Sequence, residues 1–91
     1  MSIESWRKKI DRIDDQILIL LNIRASCAIE IGKLKLSQNI PVYSPEREKE
    51  ILDRLVVNSP GPMTQHSIKT LFERIIDESR RTERITIEGN E

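Results

Sequence analysis

The sequence predicts an all-α protein: three helices per chain, one long and two shorter, paired as an intertwined homodimeric helical bundle. Three observations predict it. Apolar residues recur in alternating steps of three and four through Ile3, Trp6, Ile10, Ile13, Ile17 and Leu20, then Cys27, Ile31 and Leu34. That spacing is the signature of a long amphipathic helix with a coiled-coil-like seam. Two breaker stretches, "SQNIPVY" and "NSPGP", divide the rest of the chain into two shorter helical segments. Length supplies the third observation. A helix from Ile3 to Ser37 is about 50 Å long at about 1.5 Å per residue. A compact domain of this size has a radius of gyration of only about 12 Å. Two shorter helices cannot cover both ends of such a rod, so a second copy must bury the exposed seam.

The first helix runs from about residue 3 to 37, and Pro41 in the breaker stretch ends any continuation. The second spans about 45–57, with Ser44 suited to the N-cap, Pro45 to the first helical position and Glu46 to the dipole. The third starts after Thr64, a suitable N-cap, and runs to about 85. Its stripe is Ile68, Leu71, Phe72, Ile75 and Ile76, and the tail 86–91 should fray.

Composition narrows the function. The 91 residues suggest one domain, and 15 basic against 15 acidic side chains leave the chain near neutral. That balance argues against a general nucleic-acid or membrane-surface binder. One cysteine excludes an intrachain disulfide, and no His/Cys grouping has metal-ligand spacing. No apolar run approaches 18 residues and no signal-peptide pattern opens the chain, so the expected compartment is the cytoplasm. The start at Met1 and the short tail favour a stand-alone chain over part of a fusion. Cys27, on the seam and without a nearby histidine, is expected to be a buried small hydrophobe. His66 falls in the first turn of the third helix and is expected at the surface.

Polar residues stand where the periodicity calls for apolar ones. Arg24 fills the seam position between Leu20 and Cys27. Lys35 lies eleven residues further, about three turns on, and shares its face. Gly32 sits between them at a helix-interior cost of roughly 1 kcal/mol, which is explained by close helix packing or by a ligand against the backbone. Arg47 and Glu48 each precede an apolar residue, Ile51 and Leu52, by four. On the third helix the stripe continues from Ile75 and Ile76 into Ser79 and then Glu83. Two readings stand at this point. Arg24 is a register device paired with Glu48 or Glu83, or these polar ends converge on a pocket whose surplus cations are completed by an anion.

The order "WRKKIDRIDDQILILLNIR", "IGKLK", "SPEREKEIL", then "GPM" and "LFERIIDESR" resembles the all-helical (AroQ-class) chorismate mutases over almost the whole chain. The resemblance implies a single chorismate mutase domain over 1–91, an intertwined homodimer with two shared sites, and no cofactor or metal. It implies rearrangement of the dianion chorismate to prephenate on the route to phenylalanine and tyrosine. Residue by residue, it implies that Arg7 reaches into the partner chain's site and that Arg24 binds a substrate carboxylate. Lys35 is implied to contact carboxylate and ether oxygen. Arg47 and Glu48 form the second-helix pair, Glu48 bonding the substrate hydroxyl. Ser79 binds carboxylate, and Ile31 and Ile76 form apolar walls. Two positions depart from the family's commoner pattern. Ser44 stands where many members have an aspartate near the hydroxyl, and Glu83 where many bacterial members have a glutamine beside the ether oxygen.

Geometry agrees with the shared site, because Arg7 lies about 25 Å along the rod from Arg24 and roughly 100° round it. The chemistry also agrees. The rearrangement is unimolecular and pericyclic, so it needs no nucleophile, metal or proton transfer. Fixed charge and a held conformer suffice. A carboxylate donates a hydrogen bond only when protonated, so Glu83 is expected to have a raised pKa in the substrate complex. Two alternatives remain: an isochorismate-pyruvate lyase on the same scaffold, and a non-catalytic helical dimerisation or ligand-sensing module.

Overall fold

The computed structural model describes residues 2–89 and consists of three α-helices in the order α1 (Ile3–Ser37), α2 (Pro45–Asn58) and α3 (Gln65–Glu88). Each begins at a hydroxyl cap. Ser2, Ser44 and Thr64 have extended backbones, and each side chain accepts from the amide three residues on. These caps satisfy amides that have no intrahelical partner and fix where each helix starts. Pro45 occupies the first turn of α2, where a missing N–H costs nothing.

α3 is the element that organises the chain, since it packs on both α1 and α2 while the backbones of those two stay apart. It runs alongside the C-terminal half of α1 in the same direction. Arg24 of α1 meets Ser79 of α3, and Gly32 meets Glu83 and Ile87. α2 returns antiparallel to α3, placing its first turn beside the last third of α3, where Glu48 reaches Arg80. The three helices therefore enclose a groove between α1 and α2, floored by α3.

Two expectations need correcting. α3 runs three residues beyond Ile85, to Glu88, and is closed by Gly89 in the left-handed region at φ 70°, whose N–H donates to the Ile85 carbonyl at 2.9 Å. Half of the expected frayed tail is thus helix. Ile87 packs over Gly32, which gives the extra turn an apolar anchor, and glycine closes it without a Cβ penalty. The last two residues of that tail lie outside the described residues. Cys27, expected to be buried, is exposed. It faces the groove, whose open space between the separated backbones of α1 and α2 leaves its thiol accessible.

The chain measures 54 × 27 × 18 Å with a radius of gyration of 16.1 Å, above the about 12 Å of a compact domain this long. The excess is the N-terminal half of α1. There Trp6 is 50 % exposed, Ile10 54 % and Ile17 47 %. The core proper is small: Ile76 is the one buried large apolar residue among the described residues.

Candidate active site

The groove holds a cavity of about 260 Å³. Into its wall the structure brings Arg24, Ile31 and Lys35 of α1, Ser44, Arg47 and Glu48 at the start of α2, and Ile76, Ser79 and Glu83 of α3. Residues far apart in sequence meet because each helix carries its polar break at the end nearest the groove. Arg7 is absent from this wall and lies near the far end of α1. Ile76 is buried beneath the cavity, while Ile31 lines it and stays half open to solvent.

Arg24 has no carboxylate partner among the described residues. Its Nη1 donates to Ser79 Oγ at 2.7 Å. This removes the register-device reading, in which Glu48 or Glu83 would neutralise it. Glu48 instead takes Arg80, whose Nη1 donates to Oε2 at 2.8 Å. A hydroxyl orients the Arg24 guanidinium without cancelling its charge, which leaves donors for an anion. Lys35 is held in the same way. Its Nζ donates to the Val42 carbonyl at 3.0 Å, anchoring the ammonium to the α1–α2 connection. Ser44 lines the cavity and also caps α2, accepting from the Arg47 amide at 3.4 Å.

Glu83 is buried, at 7 % exposure. Burial pushes its carboxyl above the usual carboxylate range, against the opposing pull of Lys35 and Arg80. It lies over Gly32: a Cβ built there would stand 2.5 Å from Glu83 Oε1, 2.7 Å from its Cγ, and against Ile87 Cδ1. The missing Cβ is what allows α3 to bring this carboxyl down onto α1. Of the two explanations for Gly32, close helix packing is the one observed: α3 side chains fill the room a Cβ would take, and Gly32 does not line the cavity.

The sequence pattern singled out every charged group of the wall except Arg80. Its place was readable, four residues after Ile76 on the inward face, but "ESRRTER" reads as a run of solvated charge. With Arg80 counted, the cavity wall carries four cations, Arg24, Lys35, Arg47 and Arg80, against the two carboxyl groups of Glu48 and Glu83. With both carboxyls ionised the surplus is two positive charges, and with Glu83 protonated it is three, so the wall favours an anion in either state.

The model of the family described as chorismate mutase type II matches residues 6–84. The chain belongs to that family. Among solved structures it is similar to form II of the chorismate mutase of Thermus thermophilus, with a TM-score of 0.88 and 38 % identity, covering 89 % of this chain and 92 % of that one. It is also similar to the Helicobacter pylori chorismate mutase crystallised in complex with prephenate, with a TM-score of 0.87 and 27 % identity over 98 % and 97 % of the two chains. A curated relative, the bifunctional chorismate mutase/prephenate dehydratase of Aquifex aeolicus, is 40 % identical over 78 residues, which is 81 % of this chain and 22 % of that protein. The chain thus spans about a fifth of the length of the bifunctional relative it matches. No helix among the described residues is long and apolar enough to cross a membrane.

Proposed function

We propose that the chain converts chorismate to prephenate, and that it does so as a homodimer with two sites, each completed by Arg7 of the other protomer. The observation that carries this reading is the cavity whose surplus of positive charge gathers from all three helices. Family membership over residues 6–84 supports it. The half-exposed seam of Trp6, Ile10 and Ile17 supports the dimer, as does the distance of Arg7 from the cavity of its own chain.

In this reading the reaction uses no group of the enzyme as nucleophile or base. One C–O bond breaks and one C–C bond forms within a single dianion, and electron density moves onto the ether oxygen. The protein holds the folded conformer and meets the developing charge. Arg24, steadied by Ser79, and Arg47 bind carboxylate, and the partner's arginine closes the remaining side. Lys35, tied to the Val42 carbonyl, places a compact cation at the ether oxygen. Glu83, protonated, donates to the same oxygen. Glu48 accepts from the ring hydroxyl beside Ser44, and Ile31 and Ile76 press on the ring faces.

The test is direct. Purified chain is incubated with chorismate, and separately with isochorismate, while substrate loss and product are measured. The expected result is prephenate from chorismate. Pyruvate release from isochorismate without any chorismate turnover assigns the lyase instead. No change in either substrate returns the chain to the ligand-sensing or dimerisation class.

A further inference from the structure

Arg80 has three partners, and together they fix its guanidinium from two edges and one face. Nη1 donates to Glu48 Oε2 on α2 at 2.8 Å, and Nη2 to Asp77 Oδ1 on its own helix at 2.8 Å. The guanidinium carbon lies 4.8 Å from the ring centroid of Tyr43, in the α1–α2 connection. A planar fork that bridges two carboxylates while stacking on an aromatic face is an arrangement lysine cannot reproduce. The Arg80 and Glu48 side chains remain 30 % and 25 % exposed. The bridge is thus part-buried and ties α2 to α3, and its place in the cavity wall asks for an explanation beyond stability.

Glu48 supplies one. It is a long, flexible carboxylate lining a site of net positive charge. Left alone it would sample several rotamers within the wall, and its charge would compete for the donors meant for an anion. It would also repel an entering dianion. The bridge removes both problems, because it engages Oε2 and leaves Oε1 with its lone pairs for a hydroxyl donor. Asp77 and Tyr43 hold Arg80 itself in the orientation this requires.

The geometry points to Arg80 as a positioning residue for substrate recognition: it clamps Glu48 so that its free oxygen reads the ring hydroxyl, and it cancels the charge of that carboxylate beside a dianion. This rests on the chorismate reading of the cavity. Arg80 acts through Glu48 and makes no substrate contact of its own.

The experiment compares kcat/KM for chorismate and for 4-deoxychorismate, which lacks the hydroxyl, in wild type, Arg80→Met and Arg80→Lys. A loss that acts only through the hydroxyl contact is specific to the hydroxylated substrate. Arg80→Met is expected to lose about tenfold or more with chorismate and less than about threefold with the deoxy analogue. Arg80→Lys keeps the charge without the fork, and is expected to fall between wild type and Arg80→Met for chorismate alone. In a Glu48→Gln background the Arg80→Met change is expected to cost less than about threefold on either substrate. Equal losses on both substrates, or undiminished loss in the Glu48→Gln background, overturn the role, because a merely structural bridge affects both substrates alike. Should Arg80→Met fail to fold, Arg80→Lys carries the same comparison. Wild-type turnover of chorismate with equal losses overturns the Arg80 role alone. No wild-type turnover of either substrate overturns the chorismate reading and this role with it.

Discussion

Glu83 is a buried carboxyl set among cations, and burial outweighs them. Its pKa is raised although Lys35 and Arg80 both favour the charged form. A bound dianion adds further negative charge and raises it again. In the proposed reaction the neutral acid donates to the ether oxygen, whereas a carboxylate would repel the density that develops there. Activity is therefore expected to fall as pH rises through the Glu83 pKa of the complex, and Glu83→Gln is expected to flatten that limb. Rate profiles from about pH 5 to 9 check it, a range that spans a carboxyl raised by burial, and identical profiles for the two proteins remove the role. The folded chain binds this proton more tightly than the unfolded chain does. It therefore carries more protons between the two pKa values, and stability falls as pH rises across that window. Denaturation midpoints for wild type and Glu83→Gln should diverge there. Arg24 differs, in that its charge is uncancelled and its single hydroxyl partner is Ser79. Arg24→Met is expected to lose about a hundredfold or more in kcat/KM while leaving the melting temperature equal or higher, since a part-buried cation without its anion is a burden. Steady-state kinetics and a thermal melt together decide it. Arg24 was legible because it interrupts an apolar period. Arg80 went unmarked although it stands four residues after Ile76, because the charged run around it on α3 reads as a solvated face.

At the scale of the helix, Gly32 shows how packing and site share one contact. Alanine there meets Glu83 and Ile87, yet it also gains about 1 kcal/mol of helix propensity. Gly32→Ala is thus expected to change stability by less than about 1 kcal/mol in sum. It should displace the Glu83 carboxyl and lower kcat/KM by about tenfold, since a misplacement of about 1 Å is costly at a reacting centre. A folded, fully active Gly32→Ala protein would show that the close approach serves packing alone. The starts of all three helices were legible from their hydroxyl caps, which act over a few residues. The end of α3 was not, because Ile87 is held by Gly32, far away in the chain. The exposure of Cys27 was hidden for a related reason. Periodicity reports which face of α1 is apolar, but not that this face opens onto a groove at Cys27.

For the whole molecule, shape and charge point the same way. The 54 Å length comes from a helix whose first half keeps its apolar seam about half exposed, and that seam is the surface a second copy would bury. The long rod was legible from composition and spacing alone. The way α3 lies between the other two helices was not, because three amphipathic stripes fit more than one arrangement. Sedimentation is expected to report a dimer at micromolar concentration, and Ile13→Asp, a charge placed on the seam, is expected to weaken the dimer and remove activity together. The shared site itself is tested by complementation. Arg7→Met and Arg24→Met chains, each expected to be nearly inactive, are unfolded together and refolded as a mixture. In a mixed dimer one site receives both intact arginines and the other neither, so random pairing is expected to restore about a quarter of wild-type activity. A mixture no more active than its separate components would contradict a site built from two chains.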